Sequence, residues 1–248
     1  MNIAIFATKR IGTEVLRYII NEHKEHLKLI VFDKEDSEIY EEFKTFSPHV
    51  FYDEIGNHID FIKSLDLDWI FLAWWPHIIK SDIINIPRKG VINTHNSLLP
   101  FNRGVHPNFW AIVEELEYGV SIHKVTPGVD DGDVIAQKRI AYDWLDNGDT
   151  LYEKGMVELT ELFKLTYPKI VSGNYELTPQ DHSVMTCHRT NEINKICNID
   201  LTRQYEGAEL LNIIRAKDCL GKPGAYFYSN GKKYEVRIKI EEIEYDKD

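Results

Sequence analysis

The chain of 248 residues is 43% apolar and 12% aromatic, which is enough to bury a sizeable core in one or two domains. Lys and Arg total 29 against 40 Asp and Glu, and the resulting net charge of −11 excludes a diffuse basic surface for nucleic acid or for an anionic membrane. The longest purely apolar run, 69–75, is far shorter than the ~20 residues that span a bilayer. We therefore expect a folded protein with no membrane or nucleic-acid partner.

The first residues are apolar, with no basic flank, long hydrophobic stretch or cleavage site, so we interpret them as a first strand and not as a signal peptide. This favours a cytoplasmic location. The spacing of Cys187, Cys197 and Cys219 matches no zinc pattern, and we expect reduced thiols and no metal.

Residues 1 to about 100 alternate short apolar runs with segments of helical period, a pattern typical of parallel βαβ units. It predicts an α/β fold with a doubly wound, Rossmann-like, mostly parallel sheet and flanking helices. The predicted strands are 2–7, 27–33, 49–52, 69–73 and 90–95, and the predicted helices lie near 12–21, 37–46 and 56–65.

The second half of the chain changes character. We predict a helix at 107–116, two antiparallel strands at 120–126 and 134–142, and a long helix at 150–167 with Asp149 as its N-cap. Residues 172–203 are polar and irregular, and a boundary near Pro179 divides the chain into domains 1–179 and 180–248. The second domain contains a predicted helix, 205–215, and a hairpin of 224–228 and 233–240 that turns at Asn230-Gly231.

The turn after the first strand reads Ala-Thr-Lys-Arg-Ile-Gly over residues 7–12. It has neither the glycine fingerprint of dinucleotide-binding folds nor a P-loop, which disfavours an NAD or ATP enzyme. A helix beginning near Gly12 with Lys9 and Arg10 beside it could hold a phosphate, and a solvated basic turn is the alternative.

Chemistry is indicated at the end of the predicted fifth strand, where alternation places Asn93 and His95 on one face. Ligands of open α/β sheets bind at the carboxyl ends of the strands. An amide and an imidazole placed two residues apart can both donate hydrogen bonds to one oxygen atom, as a reaction at a carbonyl requires.

A second cluster lies in the turn before the strand predicted at 134–142. Asp130, Asp131 and Asp133 repel one another, so at least one is expected to have a raised pKa or a cationic partner. A solvated turn is the alternative that spacing alone leaves open.

These two segments together resemble the folate-dependent formyltransferase family. Residues 93–104 read Asn-Thr-His-Asn-Ser-Leu-Leu-Pro-Phe-Asn-Arg-Gly, and residues 130–135 read Asp-Asp-Gly-Asp-Val-Ile in a turn after the strand predicted at 120–126. The resemblance covers roughly residues 1 to 170. It implies the formyltransferase fold and an enzyme that transfers a formyl group from 10-formyltetrahydrofolate to an amine, without a metal.

The resemblance also implies the site residues. Asn93, His95 and Asp130 fall on the family's catalytic asparagine, histidine and aspartate; Asp130 is chosen because it stands two residues before Gly132. The folate is expected to be held by two loops, and the residues assigned to it are Trp74, Trp75, Pro76, His77, Ile78, Gly128 and Val129.

The tail resembles the small sugar N-formyltransferases, through Arg215-Ala216, residues 221–227 and the hairpin that follows. The implied acceptor is a nucleotide-linked amino-dideoxy sugar for O-antigen or another surface polysaccharide. The first candidate is dTDP-4-amino-4,6-dideoxyglucose, and GDP-perosamine or a UDP-amino sugar is the alternative. The resemblance also implies a homodimer, with the second domain as the dimerisation unit.

A pyrophosphate needs local cations despite the acidic chain. The residues expected to contact the acceptor are Lys9, Arg10, Lys80, Arg103 and Phe109.

Three other readings remain at this point. A metal-dependent hydrolase could use His95, His123 and Asp130, although no short zinc motif is present. A formyltetrahydrofolate hydrolase would use the same triad with water as acceptor. A non-catalytic nucleotide-sugar or folate binding module would keep the triad as scaffold, at the cost of burying polar groups.

Overall fold

The computed structural model describes residues 1–35, 37–46, 48–219 and 221–243. The strands are β1 Ile3–Ala7, β2 Leu27–Phe32, β3 His49–Phe51, β4 Trp69–Ala73, β5 Gly90–His95, β6 Arg103–Gly104, β7 Tyr118–Lys124, β8 Val134–Ile140, β9 Cys187–His188, β10 Ala225–Ser229 and β11 Lys232–Val236. The α-helices are α1 Lys9–Glu22, α2 Glu38–Phe43, α3 Ile59–Ser64, α4 Ser81–Ile84, α5 Pro107–Val113, α6 Gly148–Ser172, α7 Thr190–Ile196 and α8 Gly207–Lys217. The described residues also form 3-10 helices at Lys24–His26 and Tyr52–His58.

The central sheet has seven strands in the order β3-β2-β1-β4-β5-β7-β8. The first five are parallel, while β7 pairs antiparallel with both β5 and β8. Every residue of β1 and β4 is buried, as expected for parallel strands covered by helices on both faces. The predicted Rossmann-like α/β sheet and its antiparallel extension are confirmed.

The sheet buries two apolar layers. The larger one packs α1, α5 and α6 against one face and includes Ile5, Phe71 and Phe163. The smaller one lies on the other face and includes Phe6 and Leu72. Alternate residues of each strand therefore face opposite layers, and this alternation restricts the register in which the strands can pair. In the observed register the polar ends of β5 and β7 lie side by side.

The long helix α6 begins earlier than the sequence predicts. Asn147, not Asp149, is its N-cap: the Asn147 carboxamide oxygen accepts from the backbone N–H groups of Asp149 (3.0 Å) and Thr150 (2.9 Å). The prediction of Asp149 was wrong because both residues are good caps and only the backbone shows which one has extended φ and ψ. The helix also continues past Pro168 and ends at Gly173 in the left-handed conformation (φ 72°).

The part after residue 172 carries more structure than its polar composition indicates. The predicted helix is α8, and β10 and β11 form the predicted hairpin with positive φ at Asn230 (49°) and Gly231 (72°). The helix α7 and the two-residue pairing of β6 with β9 were missed, because both are short and depend on tertiary contacts. Along the described part of the chain, no helix combines the length and the apolarity needed to cross a membrane.

Candidate active site

The carboxyl ends of β4 and β5 open into a cleft of about 650 Å³. Asn93 and His95 both line it, as the alternation predicts. The antiparallel register pairs Asn93 directly with His123 on β7, so a second imidazole enters the same wall. His123 is 1% exposed and His95 is 8% exposed.

Asp130 reaches this wall from the turn between β7 and β8. Its backbone has a positive φ of 47°, a conformation that is unfavourable for a residue with a side chain and that concentrates at functional sites. The turn folds tightly onto the end of β7, since a Cβ at Gly132 would lie 2.1 Å from the carbonyl oxygen of Lys124. Only glycine fits there, and this close approach directs Asp130 back toward β5.

The carboxylate of Asp130 is the hub of the polar cluster. Asn93 Nδ2 lies 3.3 Å from Oδ1 and donates to it, and the backbone N–H of Gly104 donates to Oδ2 at 3.0 Å. His95 Nδ1 is 3.6 Å from Oδ2, and His123 Nε2 is 3.5 Å from Oδ1. The structure therefore brings Asn93, His95 and Asp130 together.

Burial and charge act in opposite directions on this cluster. Burial alone would raise the pKa of Asp130, but the charge of His95, the hydrogen bond and charge of His123 and the Gly104 N–H together hold that pKa well below its usual range. Burial lowers the pKa of His95, although the Asp130 charge acts to raise it. At neutral pH the site thus holds an ionised carboxylate beside a neutral imidazole.

Both ring nitrogens of His95 face oxygen atoms. Nδ1 faces Asp130, and Nε2 lies 3.2 Å from the backbone carbonyl oxygen of Asn102. A protonated His95 would therefore have an acceptor for each N–H, so the ring can take up a proton without leaving its place.

The Asp130 turn is supported from a distant part of the chain. Gln180 Nε2 donates to the backbone carbonyls of Asp130 (2.9 Å) and Gly132 (2.7 Å). Its Oε1 accepts from Nε (3.2 Å) and Nη2 (2.7 Å) of Arg103. Arg103 is 4% exposed, so its guanidinium is buried beneath the site.

The residues expected to hold the folate all lie on the cleft wall: Trp74, Trp75, Pro76, His77, Ile78, Gly128 and Val129. Trp75 packs edge-on against Phe6 and Tyr52. Ile78 is 79% exposed at the mouth. These side chains form a largely apolar wall beside the polar cluster, of the type that binds a flat heterocycle.

Some of the residues expected to contact the acceptor line the cleft, and the others lie elsewhere. Lys9 and Phe109 line the cleft. Among the residues that the structure describes, Arg10, Lys80 and Arg103 do not line it. Arg10 pairs with Glu153 at the surface, Lys80 lies exposed before α4, and Arg103 is bound to Gln180. The position of Arg103 has a clear cause, because its buried guanidinium already donates to Gln180.

Sequence reasoning missed other cations on the cleft wall. Lys217 and Lys222 lie there together with His106 and Arg189. Lys9, Lys217 and Lys222 line the same cleft as His106. Burial, together with the positive charges of these lysines, lowers the pKa of His106. Lys217 and Lys222 lie after α5 and α6 in sequence, and the packing of α8 against both helices brings them to the cleft.

Comparison with known proteins places this geometry in a family. Residues 12–163 match the family described as formyl transferase. The chain belongs to the formyl transferase family. Residues 192–242 also match the family described as N-formyltransferase dimerization C-terminal domain. The family membership that the sequence motifs indicate is thus confirmed.

Individual relatives extend the comparison. The chain is 32% identical over 180 residues to a methionyl-tRNA formyltransferase of Agathobacter rectalis, a match that covers 72% of this chain and 56% of that relative's length. Among solved structures, a 4-N formyltransferase from Francisella tularensis is 22% identical, with a TM-score of 0.82 and 98% of both chains covered. An N-formyltransferase from Helicobacter canadensis in complex with folinic acid and dTDP-3-aminofucose is also 22% identical, with a TM-score of 0.72 and coverage of 87% of this chain and 80% of that chain. At these identities the solved structures establish a shared fold.

Proposed function

We propose that this formyl transferase moves the formyl group of 10-formyltetrahydrofolate to the amino group of a nucleotide-linked amino-dideoxy sugar. One observation carries the proposal. A single cleft is lined by Asn93 and His95, each close to the carboxylate of Asp130, and by lysines from both ends of the chain.

The cleft offers groups that fit a reduced folate. Trp74, Trp75 and Ile78 supply apolar surface, and Trp75 Nε1 is buried without a hydrogen-bond partner among the described residues. A buried polar atom without a partner costs stability, and a ligand with matching donors and acceptors would remove that cost. Bound 10-formyltetrahydrofolate would supply the formyl group as an electrophile.

The polar cluster can perform the proton transfers of such a reaction. Asn93 Nδ2 donates to the formyl oxygen, where negative charge develops as the amine attacks. His95, kept neutral by burial, accepts the proton that the attacking nitrogen loses, and this proton then passes to the folate nitrogen as the bond between that nitrogen and the formyl carbon breaks. The ionised Asp130 stabilises the positive charge that His95 carries between these two transfers. His123 and the Gly104 N–H hold Asp130 in place throughout.

The converging cations favour an acceptor that carries phosphate groups. Lys9, Lys217 and Lys222 provide three positive charges in a chain whose net charge is −11. Charge-assisted hydrogen bonds from lysines suit a pyrophosphate. In support, the Helicobacter canadensis relative was solved with dTDP-3-aminofucose. The first candidate stays dTDP-4-amino-4,6-dideoxyglucose, which takes part in O-antigen or other surface polysaccharide synthesis.

A substrate panel tests this function. The purified chain is assayed with 10-formyltetrahydrofolate and dTDP-, UDP- or GDP-linked amino sugars, and product is detected as the formamido sugar by mass spectrometry. We expect turnover with the dTDP-linked 4-amino sugar. Turnover confined to UDP- or GDP-linked sugars would show that the acceptor carries that nucleotide and not dTDP. Release of formate without an amine would instead indicate a formyltetrahydrofolate hydrolase.

Lysine variants test the acceptor region separately. Replacing both Lys217 and Lys222 by Gln is expected to raise KM for the nucleotide sugar by about 10-fold or more, because each loses a charge-assisted hydrogen bond. The KM for the formyl donor should stay within about twofold. Lys80→Gln, at an exposed position outside the cleft, is the matched control. An unchanged sugar KM in the double variant would place the pyrophosphate elsewhere.

We further propose that two copies of the chain associate through the hairpin of β10 and β11. Tyr228 and Tyr234 expose 57% and 43% of their surface there, and the match of residues 192–242 to a dimerisation family supports the assignment. Light scattering at micromolar concentration should give the mass of a dimer. A monomer under those conditions would contradict the proposal.

A further inference from the structure

Three potential metal ligands meet at the turn that joins α1 to β2. His23, Glu25 and His26 each offer one ligand atom, and these atoms all lie within 4.8 Å of one another. The turn lies at the amino edge of the parallel sheet, whereas the candidate active site lies at the carboxyl edge. The cluster therefore takes no part in the cleft, and the inference drawn from it is independent of the proposed function.

The two imidazole rings are held in a defined orientation. They are parallel to within 2°, with centroids 5.6 Å apart. His23 Nε2 lies 3.1 Å from the hydroxyl oxygen of Tyr18, and His26 Nδ1 lies 2.9 Å from that of Tyr167. Tyr167 is fully buried in the core, so its hydroxyl is a fixed reference point for His26.

The hydroxyl of Tyr18 also holds the ring of His23. It lies 3.1 Å from His23 Nε2 and 3.4 Å from the backbone carbonyl oxygen of Lys164. When its hydrogen points to that carbonyl, the hydroxyl oxygen accepts from the Nε2–H of His23, and Nδ1 is then the unprotonated nitrogen that a metal can bind. Histidine ligands of metals commonly have their second ring nitrogen fixed by a hydrogen bond of this kind.

His26 is arranged in a complementary way. With Nδ1 engaged by Tyr167, its Nε2 points outward and lies 3.5 Å from Glu25 Oε1. The Glu25 side chain is 71% exposed and free to rotate toward an ion. One carboxylate oxygen and two imidazole nitrogens thus lie within 4.8 Å of one another on residues that are half-buried or exposed.

We propose that this cluster binds a divalent transition-metal ion, with Zn²⁺ as the first candidate. Two imidazoles and a carboxylate suit Zn²⁺, Ni²⁺ or Cu²⁺ far better than Mg²⁺ or Ca²⁺, which require oxygen ligands. Zinc–ligand bonds of about 2.0–2.2 Å require the three ligand atoms to move closer than they are now, and the exposed Glu25 can supply that movement. Water would fill the remaining position.

Bound metal would connect three elements of the fold. His23 caps the end of α1, His26 lies in the 3-10 turn that leads into β2, and Tyr167 belongs to α6. An ion that binds only the folded arrangement stabilises it. We therefore expect the site to strengthen the turn on the side of the sheet away from the cleft.

The test uses the full chain without an affinity tag, stripped with chelator and titrated with zinc chloride by isothermal calorimetry. We expect one Zn²⁺ per chain and a higher thermal unfolding midpoint with zinc. His23→Gln and His26→Gln should each weaken binding at least ~10-fold, as should Tyr167→Phe, which removes only the supporting hydroxyl. His58→Gln, in another 3-10 helix, is the matched control and should bind as the parent does.

Cobalt chloride provides a second readout that does not depend on heat of binding. Visible absorption bands typical of four-coordinate Co²⁺ should appear in the parent chain and in His58→Gln, and should be lost in His23→Gln. Circular dichroism in the presence of chelator establishes which variants are folded. If His26→Gln does not fold, Glu25→Gln, at an exposed position, replaces it as the second ligand variant. Absence of saturable binding, or equal affinity of the parent and the folded variants, would overturn the proposal.

Discussion

Gln180 connects the Asp130 turn to the buried Arg103, and its replacement by leucine is the most informative single change outside the polar cluster. Gln180→Leu keeps a side chain of similar size but removes two donated and two accepted hydrogen bonds. The carbonyls of Asp130 and Gly132 then lose their donor, and the Arg103 guanidinium loses its main acceptor.

The expected cost follows from the burial of these groups. Each hydrogen bond to a carbonyl contributes about 0.5–1.5 kcal/mol, and the bonds from the buried guanidinium together contribute about 1.5–3 kcal/mol. His182 Nδ1 remains 3.4 Å from the guanidinium as a weaker partner. We therefore expect the free energy of unfolding to fall by about 3 kcal/mol, a large part of the ~5–15 kcal/mol typical of a folded protein.

Two measurements check this reasoning. Urea unfolding followed by circular dichroism gives the change in free energy, and NMR titration of the His95 ring reports whether Asp130 still lies beside it. Without its donor the turn should shift, and the pKa of His95 should fall because the nearby carboxylate charge raises it. Gln204→Leu, at an exposed position, is the control.

Gln180→Glu separates the two contributions. It keeps an acceptor for Arg103 but places a carboxylate oxygen against the carbonyls of Asp130 and Gly132, so stability should fall less than in Gln180→Leu while turnover falls strongly. Gln180→Leu with the stability and His95 titration of the parent chain would refute the supporting role of Gln180.

Three further predictions concern the polar cluster itself. Asn93→Ala should lower turnover at least ~100-fold with little change in the unfolding midpoint, since it removes a donor to the developing charge; parent-like rates would exclude Asn93 from the chemistry. Asp130→Asn should lower the pKa of His95 as measured by NMR, because it removes the charge that raises it; an unchanged or higher pKa would contradict the assigned electrostatics. Because the folded-state pKa of His95 lies below its unfolded value near 6.5, the unfolded chain binds more protons below that pH, so the free energy of unfolding should decline as pH falls below about 6.5. His95→Asn should show less of this decline in urea titrations at a series of pH values, and an identical pH dependence would argue that burial does not perturb His95.

Much of the fold follows from local patterns in the sequence. The runs that form β1 and β4 are apolar throughout, and their burial on both faces makes them recognisable without tertiary information. Turn chemistry identifies the hairpin through Asn230-Gly231. The helix α7 could not be predicted in this way, because it is short and has two apolar residues, of which Ile193 is buried and Ile196 is partly buried.

In the candidate site, too, some features follow from local sequence patterns and others depend on tertiary contacts. Alternation along one strand predicts that Asn93 and His95 share a face, and the same rule applied to β7 would have found His123 opposite Asn93. The exclusion of Arg103 from the cleft and the entry of Lys217 and Lys222 depend on contacts between distant segments. Charge and residue type are visible in a sequence, whereas the availability of a charge to a ligand depends on burial and on competing partners.

The segment between the two family-matched ranges has a consequence for exchanging parts among relatives. Residues 164–191 fall outside both matches, yet this segment contains Gln180 and the strand β9, which pairs with β6. The pairing of β9 with β6 requires glycine at position 104, because a Cβ there would lie 2.4 Å from the carbonyl oxygen of His188. A chimera that joined its two parents at residue 179 would take Asp130 and Gly104 from one parent and Gln180 and β9 from the other. A workable crossover point therefore lies beyond residue 190.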